Sequence, residues 1–397
     1  MHNCLTCFKP FEARQAHYRC VNKQCVERDD RLSEFLLGID QVLGSVIIPE
    51  DQDTRRGDRR QAPQQTCGKC QTPTSVRLCP HCHGELPTYL EDVPARVVYV
   101  LGAKGAGKSL YLIATFEHLE KEVFPTRLKS HFEFCTRHAK EKYKRLCDTV
   151  FRSGILLPAT RADRSDPELL LPFLFHARVR SFVPYFYPLR RWRSMNIAAF
   201  DTSGEDCEKL ESLQWCCQGL PQSAGLIILI DPTSFPAIGA QLGVEARTSM
   251  VEQVGSAKAV IDNVTQFYRS ALGLGACTRV PIPTAFVLTK IDALKGLLDP
   301  ASSIFGEARH QQGFDREYCE GVSRDVISFL RDERIGARNI VTSVEASFSD
   351  YLFFAATSLG RPPRVEDGHK RADNISPRNP ENPWIWLLHR FGVLPEA

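Results

Sequence analysis

The sequence has no strong excess of either charge, no long apolar run and no leader-like start. Each absence removes a class of protein. Fifty Lys and Arg against 47 Asp and Glu leave a formal net charge of +3, so no global field argues for a nucleic-acid or membrane partner. The apolar stretches around Val97–Leu101 and Leu226–Ile230 fall far short of the roughly 20 residues a bilayer-spanning helix needs. Such short runs suit buried strands instead. Met1-His2-Asn3-Cys4 lacks the basic start and apolar stretch of a secretory signal. A cytoplasmic chain with no membrane role is expected.

What the sequence has in excess is cysteine, 15 in 397 residues. Eight precede residue 83 and come in close pairs, whereas Cys135, Cys147, Cys207, Cys216, Cys217, Cys277 and Cys319 show no ligand spacing. In a reducing compartment close pairs read as metal ligands rather than disulfides. Cys67-x-x-Cys70 and Cys79-x-x-Cys82 are each a tight turn, and two such turns offer tetrahedral thiolate coordination to Zn²⁺. Cys4-x-x-Cys7 with the wider Cys20–Cys25 pair forms the other set. The expected groups are therefore Cys4, Cys7, Cys20 and Cys25 on one ion, and Cys67, Cys70, Cys79 and Cys82 on the other. His17, His81 and His83 stand nearby as alternative ligands. Four thiolates close a site, which makes it structural rather than catalytic. Residues 1–90 are thus expected to hold two Cys4 zinc-binding modules, with the polar, charged stretch 51–65 as a linker.

From residue 93 to 397 the character changes. Apolar strands alternate with helical patterns, which predicts an α/β fold: a mostly parallel sheet with flanking helices. Strands are expected at Arg96–Leu101, Leu169–Arg180, Met195–Phe200, Gly225–Ile230, Thr284–Leu288 and Tyr351–Ala356. Helices are expected at Ser109–Lys121, Ala240–Leu272, Arg316–Arg334 and Trp384–Phe391, with helical insertions within 120–160 and 235–280.

The strand Val97–Leu101 runs straight into Gly102-Ala103-Lys104-Gly105-Ala106-Gly107-Lys108-Ser109, which fits G-x-x-x-x-G-K-[ST] at every fixed position. The chemistry needs this order. Glycines let backbone amides turn toward phosphate oxygens, and the following helix adds its N-terminal partial charge. Lys108 would reach the β- and γ-phosphates, Ser109 would ligate Mg²⁺, and Leu110 continues the first helical turn.

Three further segments follow strands. Asp201-Thr202-Ser203-Gly204 matches D-x-x-G: Asp201 would hold a Mg²⁺ water and the Gly204 amide would meet the γ-phosphate. Thr289-Lys290-Ile291-Asp292 matches [NT]-K-x-D. The Asp292 carboxylate can accept from N1–H and the exocyclic amino group of guanine, whereas adenine would leave it unpaired, a cost of several kcal/mol (~2–4). Thr357-Ser358-Leu359 matches, degenerately, a turn whose backbone meets the guanine carbonyl.

With these segments, residues 95–360 resemble the translation-factor-like and Ras-like (TRAFAC) class of P-loop GTPases. The resemblance implies bound GTP or GDP with Mg²⁺, GTP hydrolysis, and a threonine that closes over Mg²⁺ and the γ-phosphate. Thr160, in Leu157-Pro158-Ala159-Thr160, is the first candidate and Thr126 the second. The LPxT loop, Asp201–Glu205 and the Trp386-Leu387-Leu388 helix resemble the double-GTPase family of bacterial conflict systems, where zinc ribbons and effector modules recur. Two departures bear on catalysis. Glu205 stands where that class places a water-orienting glutamine, and a carboxylate there is a base only if its pKa is raised. Lys104 sits where small residues are common; it either supplies charge in cis or crowds the site. Hydrolysis is therefore expected to be slow or dependent on a partner.

The stretch Arg178–Arg193 mixes five arginines with Phe182, Tyr185, Phe186, Tyr187 and Trp192. It reads as a packed hairpin, an effector surface or a nucleic-acid contact. The leading functional reading is a GTP-dependent switch that acts through its zinc ribbons on a protein effector or a partner GTPase, with a nucleotide-dependent dimer as one form. The competing reading is a zinc-ribbon adaptor, for protein or nucleic acid, whose nucleotide domain dimerises with little turnover. An ATPase is a minor third.

Overall fold

A computed structural model describes residues 2–49, 64–157, 170–182, 190–242, 250–366 and 369–397. Its centre is a seven-stranded sheet. We number these strands β1 (Ala95–Gly102), β2 (His131–Phe134), β3 (Phe173–Phe182), β4 (Arg190–Asp201), β5 (Gly225–Ile230), β6 (Thr284–Leu288) and β7 (Tyr351–Ala355). The spatial order is β2-β3-β4-β1-β5-β6-β7. From β4 to β7 all pairings are parallel, while β3 joins β4, and β2 joins β3, antiparallel. The mixed sheet has the expected parallel body.

Alternation along β1 explains its central place. Val97, Tyr99 and Leu101 enter the core on one face, Val98 and Val100 the core on the other. A strand buried on both faces reads as a continuous apolar run, as this one does. Helix α1 (Lys108–His118) packs on the Val98 face. Its residue Phe116 lies within 6.4 Å, centroid to centroid, of the rings of Phe132, Phe134, Tyr143, Phe173, Phe175 and Trp384. The helix then loosens into wider turns through Leu119–Arg127, and α2 (Arg137–Cys147) follows β2. The 120–160 region thus contributes an edge strand as well as helices. Helices α3 (Met250–Leu272) and α5 (Arg338–Ser347) pack on the Val97 face. Between them in sequence, α4 (Arg316–Arg331) is capped by Asp315, which accepts the Tyr318 amide at 3.2 Å. No helix among the described residues is long and apolar enough to cross a membrane.

The C-terminal helix α6 (Asn382–Arg390) buries Trp384, Ile385 and Leu388 in the Val98-face core. Its anchor lies just before it. Tyr111 and Thr115 of α1 both donate to the Pro380 carbonyl, at 2.9 and 3.2 Å. Glu381 is fully buried, with Arg127 at 3.1 Å from one oxygen and His118 at 2.9 Å from the other. Burial alone would raise the Glu381 carboxyl, but the His118 bond and charge outweigh it and hold it below its usual range. Burial alone would likewise lower His118; the bond and charge of Glu381 raise it instead.

The signs set a testable pH window. A raised histidine contributes fully below its ordinary value, 6.5, and the contribution is lost as pH climbs through the raised value. A depressed carboxyl contributes above its ordinary value, 4.5, and fails only on acidification. Thermal stability is expected to fall as pH rises from about 6 through the raised histidine value, and His118→Gln to flatten that slope. Glu381→Gln should cost about 1–3 kcal/mol in urea unfolding, since Arg127 and His118 lose their buried partner and keep only the half-exposed Glu122.

Candidate nucleotide site and metal centres

Five strand ends meet at one edge of the sheet. Gly102 closes β1, Asp201 closes β4, and Asp231, Thr289 and Ala356-Thr357 follow β5, β6 and β7. The register aligns them: Val100 pairs with Asp201, Gly102 with Leu229, Leu288 with both Ile230 and Ala355. This is the carboxyl edge, where open parallel sheets bind ligands, and the chain changes side at β1.

Gly105 and Gly107 both take φ of +83°, which a β-carbon would resist. Gly107 leads into α1, and Lys108 folds back over the loop, buried, to donate to the carbonyls of Gly102 (2.8 Å) and Ala103 (3.1 Å). Ala106 is buried beneath the loop, and Ser109 and Leu110 open the helix half-buried. Ser109 hydrogen-bonds Asp201. Asp201 is buried and its Oδ1 has no hydrogen-bond partner. Burial raises its carboxyl, against the Ser109 bond and the charges of Lys142 and Lys108. The Ser203 hydroxyl is a second buried polar atom without a partner. A hydroxyl beside an orphaned carboxylate oxygen fits the hard, oxygen-ligated coordination of Mg²⁺.

Gly204 opens a short helix, Gly204–Cys207, pressed onto the phosphate loop. A β-carbon there would lie 2.5 Å from both the amide nitrogen and Cα of Lys104. Alanine could be accommodated only if one backbone segment moved. The two departures from the family pattern meet each other: Lys104 Nζ pairs with Glu205, and the Lys104 amide donates to Glu208 at 2.8 Å.

At the far side, Thr289 donates to the carbonyls of Ile230 (3.2 Å) and Ala106 (3.5 Å). Lys290, in the left-handed region at φ +52°, donates to the Gly105 carbonyl at 3.0 Å and pairs with Asp231 at 2.5 Å. Asp292 is buried and accepts from the Thr357 hydroxyl. That hydroxyl also accepts the amides of Gly360 (2.9 Å) and Leu359 (3.3 Å). Thr357 therefore orients Asp292, while Ser358 and Leu359 lie beside it in the same turn. Thr160 lies outside the described residues, as does most of the linker 51–65. Thr126, on the wide-turn segment, donates to the Glu122 carbonyl. Asp231 and Glu208 escaped the sequence reading. Asp231 follows an all-apolar strand just as Asp201 and Thr289 do, a signal that could have found it; nothing marks Glu208.

The cysteines correct an expectation. Cys4, Cys7, Cys79 and Cys82 form one cluster, and Cys20, Cys25, Cys67 and Cys70 the other, each with all sulfurs within 4.8 Å. The grouping is nested rather than sequential. Strand pairing is the reason: His17–Arg19 lies antiparallel to Arg77–Leu78, so the chain doubles back and faces its first cysteines with its last. Sulfur separations of 3.8 Å for Cys4–Cys82, Cys7–Cys79 and Cys25–Cys67, and 3.4 Å for Cys20–Cys70, suit the edge of about 3.8 Å that four Zn–S bonds of about 2.3 Å define. The three C-x-x-C turns are alike. The residue after the second cysteine (Phe8, Gln71, His83) is left-handed and donates its amide to the first cysteine's carbonyl at 2.8–3.0 Å. The Cys20–Cys25 pair is held instead by the hairpin of Val26–Arg28 with Val42–Gly44, where a β-carbon on Gly44 would fall 1.8 Å from the Cys20 carbonyl. The alternative ligands are engaged elsewhere. His17 and His83 share a 3.0 Å hydrogen bond, His83 meets Asp29 at 2.7 Å, and His81 bonds the Pro10 carbonyl. Asp29 also binds Arg19 at 2.7 Å; burial works against its charge, but the His83 and Arg19 bonds hold it at about 2.

Strand order, phosphate loop and carboxyl-edge geometry define the fold as that of a P-loop GTPase, preceded by small cysteine-ligated modules of zinc-ribbon type. No protein-family model matches the chain. A curated relative from Mycolicibacterium smegmatis, provisionally named as the ESX-1 scaffolding and assembly protein SaeC, is 24% identical over 336 residues, 81% of each chain. Among solved structures, the Arl6 BBS3 small GTPase of Trypanosoma brucei with bound GppNp is 10% identical, covers 75% of this chain and 98% of its own, and superposes with a TM-score of 0.29. The Saccharomyces cerevisiae Ski7 GTPase-like domain, bound to GDP and inorganic phosphate, is 11% identical over 77% of this chain and 52% of its own, with a TM-score of 0.29. The mammalian SRP receptor gives 7%, 69%, 94% and 0.24. At these scores the fold assignment rests on strand order and loop, not on the neighbours.

The nested grouping predicts metal content. Replacing Cys4, Cys7, Cys79 and Cys82 together with serine should leave one of the two clusters able to retain zinc, read by elemental analysis of the purified chain. Sequential grouping would leave no complete site.

Proposed function

We propose that the chain is a GTP- and Mg²⁺-binding switch whose zinc-bound N-terminal unit carries nucleotide state to a protein partner. The observation that carries the reading is the convergence of Lys108, Asp201 and Asp292, from three different strand ends, on one sheet edge. Lys108 and the amides of Gly105 and Gly107 would hold the phosphates. Ser109 and Asp201, with Thr160 in the closed state, would hold Mg²⁺, which neutralises charge on the phosphates when bound. Asp292, oriented by Thr357, would read the guanine edge, with the Lys290 stem alongside the base.

The route to the zinc unit runs through Phe8. This residue follows Cys7 and packs its ring 5.8 Å from that of Phe200, immediately before Asp201. Its ring also fills the space a side chain on Gly219 would need. A change at Asp201–Gly204 therefore has a packed neighbour in the outer metal cluster. The M. smegmatis relative bears a scaffolding and assembly name, and that likeness supports a protein partner. The double-GTPase resemblance makes a second GTPase one such partner.

Hydrolysis is proposed to be slow in the isolated chain. Glu205 is tied to Lys104 rather than free to act on a water. The pair is largely exposed and so worth at most about 1 kcal/mol; a partner can displace it. The same pair favours, as second reading, an adaptor that binds nucleotide with little turnover. Asp292→Asn should shift preference from guanine toward xanthine nucleotides by about 100-fold or more, as loss of a matched buried carboxylate requires. Titrating GTP, XTP and ATP against both forms tests it, and unchanged selectivity refutes the guanine assignment. GTP turnover that stays at background, alone and at high protein concentration, would leave the adaptor reading.

A further inference from the structure

We propose that Lys142 is a second phosphate-facing cation of the nucleotide site and favours a nucleoside triphosphate over the diphosphate. This inference rests on the nucleotide reading above. It adds a residue that lies in none of the motif segments, on helix α2 between the phosphate loop and β3.

The Lys142 side chain is buried, whereas Lys140, Lys144 and Arg145 on the same helix are exposed. Its Nζ donates to the Leu171 carbonyl at 3.2 Å and stands 4.6 Å from the centre of the Phe173 ring. Both contacts set the ammonium near the end of β4. Phe173 pairs with Ala199, two residues before Asp201 on that strand. Leu171 comes two residues before Phe173, and in an antiparallel pair that is the direction in which β4 runs on to Asp201. Ala199 and Asp201 share a face of the sheet, the one on which Phe173 and α1 pack. Ser109, hydrogen-bonded to Asp201, lies in the first turn of α1. Lys142, Ser109 and Asp201 thus gather on one side of one strand end, and the charge of Lys142 reaches Asp201 as that of Lys108 does.

Three contacts hold α2, and with it the lysine, in place. Thr136 accepts the Ala139 amide at 3.3 Å. Glu85, from the cysteine-rich unit, accepts the His138 amide at 3.2 Å. Tyr143 donates to Glu117 of α1 at 2.7 Å. A side chain already fixed by its fold loses little further freedom when a ligand arrives.

Charge decides which ligand gains. Lys108 is buried too, its ammonium on the carbonyls of Gly102 and Ala103. A triphosphate brings a further negative charge beyond the diphosphate, and Lys142 brings a further positive one beyond Lys108. In a buried site such a match is stronger than at the surface. A lysine that only braced the fold would affect both nucleotides alike.

The test is titration of the full chain with GDP and with the non-hydrolysable analogue GppNp, both with Mg²⁺. Lys142→Gln keeps a donor for the Leu171 carbonyl and removes the charge. It should weaken GppNp about tenfold or more, as loss of one charged hydrogen bond requires, and GDP less than about threefold. Lys142→Arg should retain more GppNp affinity than Lys142→Gln. Thermal unfolding without nucleotide reports any structural effect, and Lys142→Met serves if the glutamine variant does not fold. Equal losses for both nucleotides, no loss for either, or arginine no better than glutamine would overturn the proposal. Those outcomes, in a parent chain that binds guanine nucleotides, overturn this inference alone. A parent chain that binds neither nucleotide overturns the nucleotide reading and this inference with it.

Discussion

The register of β1 between β4 and β5 is the constraint on which the rest depends. Val100 opposite Asp201 and Gly102 opposite Leu229 bring the D-x-x-G end beside the phosphate loop and leave no spare room between them. Gly204 measures how tight that is, because its missing side chain is the space that Lys104 fills. The register is itself a product of burial. A strand that puts apolar side chains into cores on both faces cannot slip by one residue without exchanging its two sets of contacts, and slipping by two would carry Gly102 past its neighbours. Rigid placement of the loop is thus a packing result before it is an electrostatic one.

Around this frame, distant parts of the chain are tied to the first helix after the loop. The Pro380 carbonyl and the Glu381 carboxylate join α1 and its continuation to the C-terminal helix. Phe8 joins the outer cysteine cluster to Phe200, and Phe200 stacks on Tyr99 at 4.7 Å. The candidate Mg²⁺ ligand Asp201 therefore lies between a rigid sheet and the turn of a four-cysteine cluster.

Much of this was legible in the sequence because strand ends declare themselves. Gly102, Asp201 and Thr289 each terminate an apolar run, and the same rule extends to Asp231. The strands Gly225–Ile230 and Thr284–Leu288 fall where the apolar runs place them. Edge strand β2 was hidden because four residues, His131–Phe134, are too few for a period to stand out. The pairing of the cysteine turns was hidden for a different reason. A C-x-x-C spacing is a local property, whereas its closing partner depends on which strands meet, and His17–Arg19 meets residues about sixty positions away. Glu381 was hidden likewise: a lone acid next to a helix reads as solvated until its cations, from Arg127 and His118, are seen to converge.

The nested cysteine arrangement has a consequence for biosynthesis. The outer cluster encloses the inner one like a pair of brackets, and each needs ligands from both ends of the N-terminal unit. As the chain leaves the ribosome, neither cluster can gain its full set of thiolates from the first 25 residues. The inner set is complete only once Cys70 has emerged, and the outer only after Cys82. Closure of both clusters is thereby delayed until just before the sheet strand at residue 95 is made, so completion of any metal site there and the start of the nucleotide fold would be neighbouring events in time.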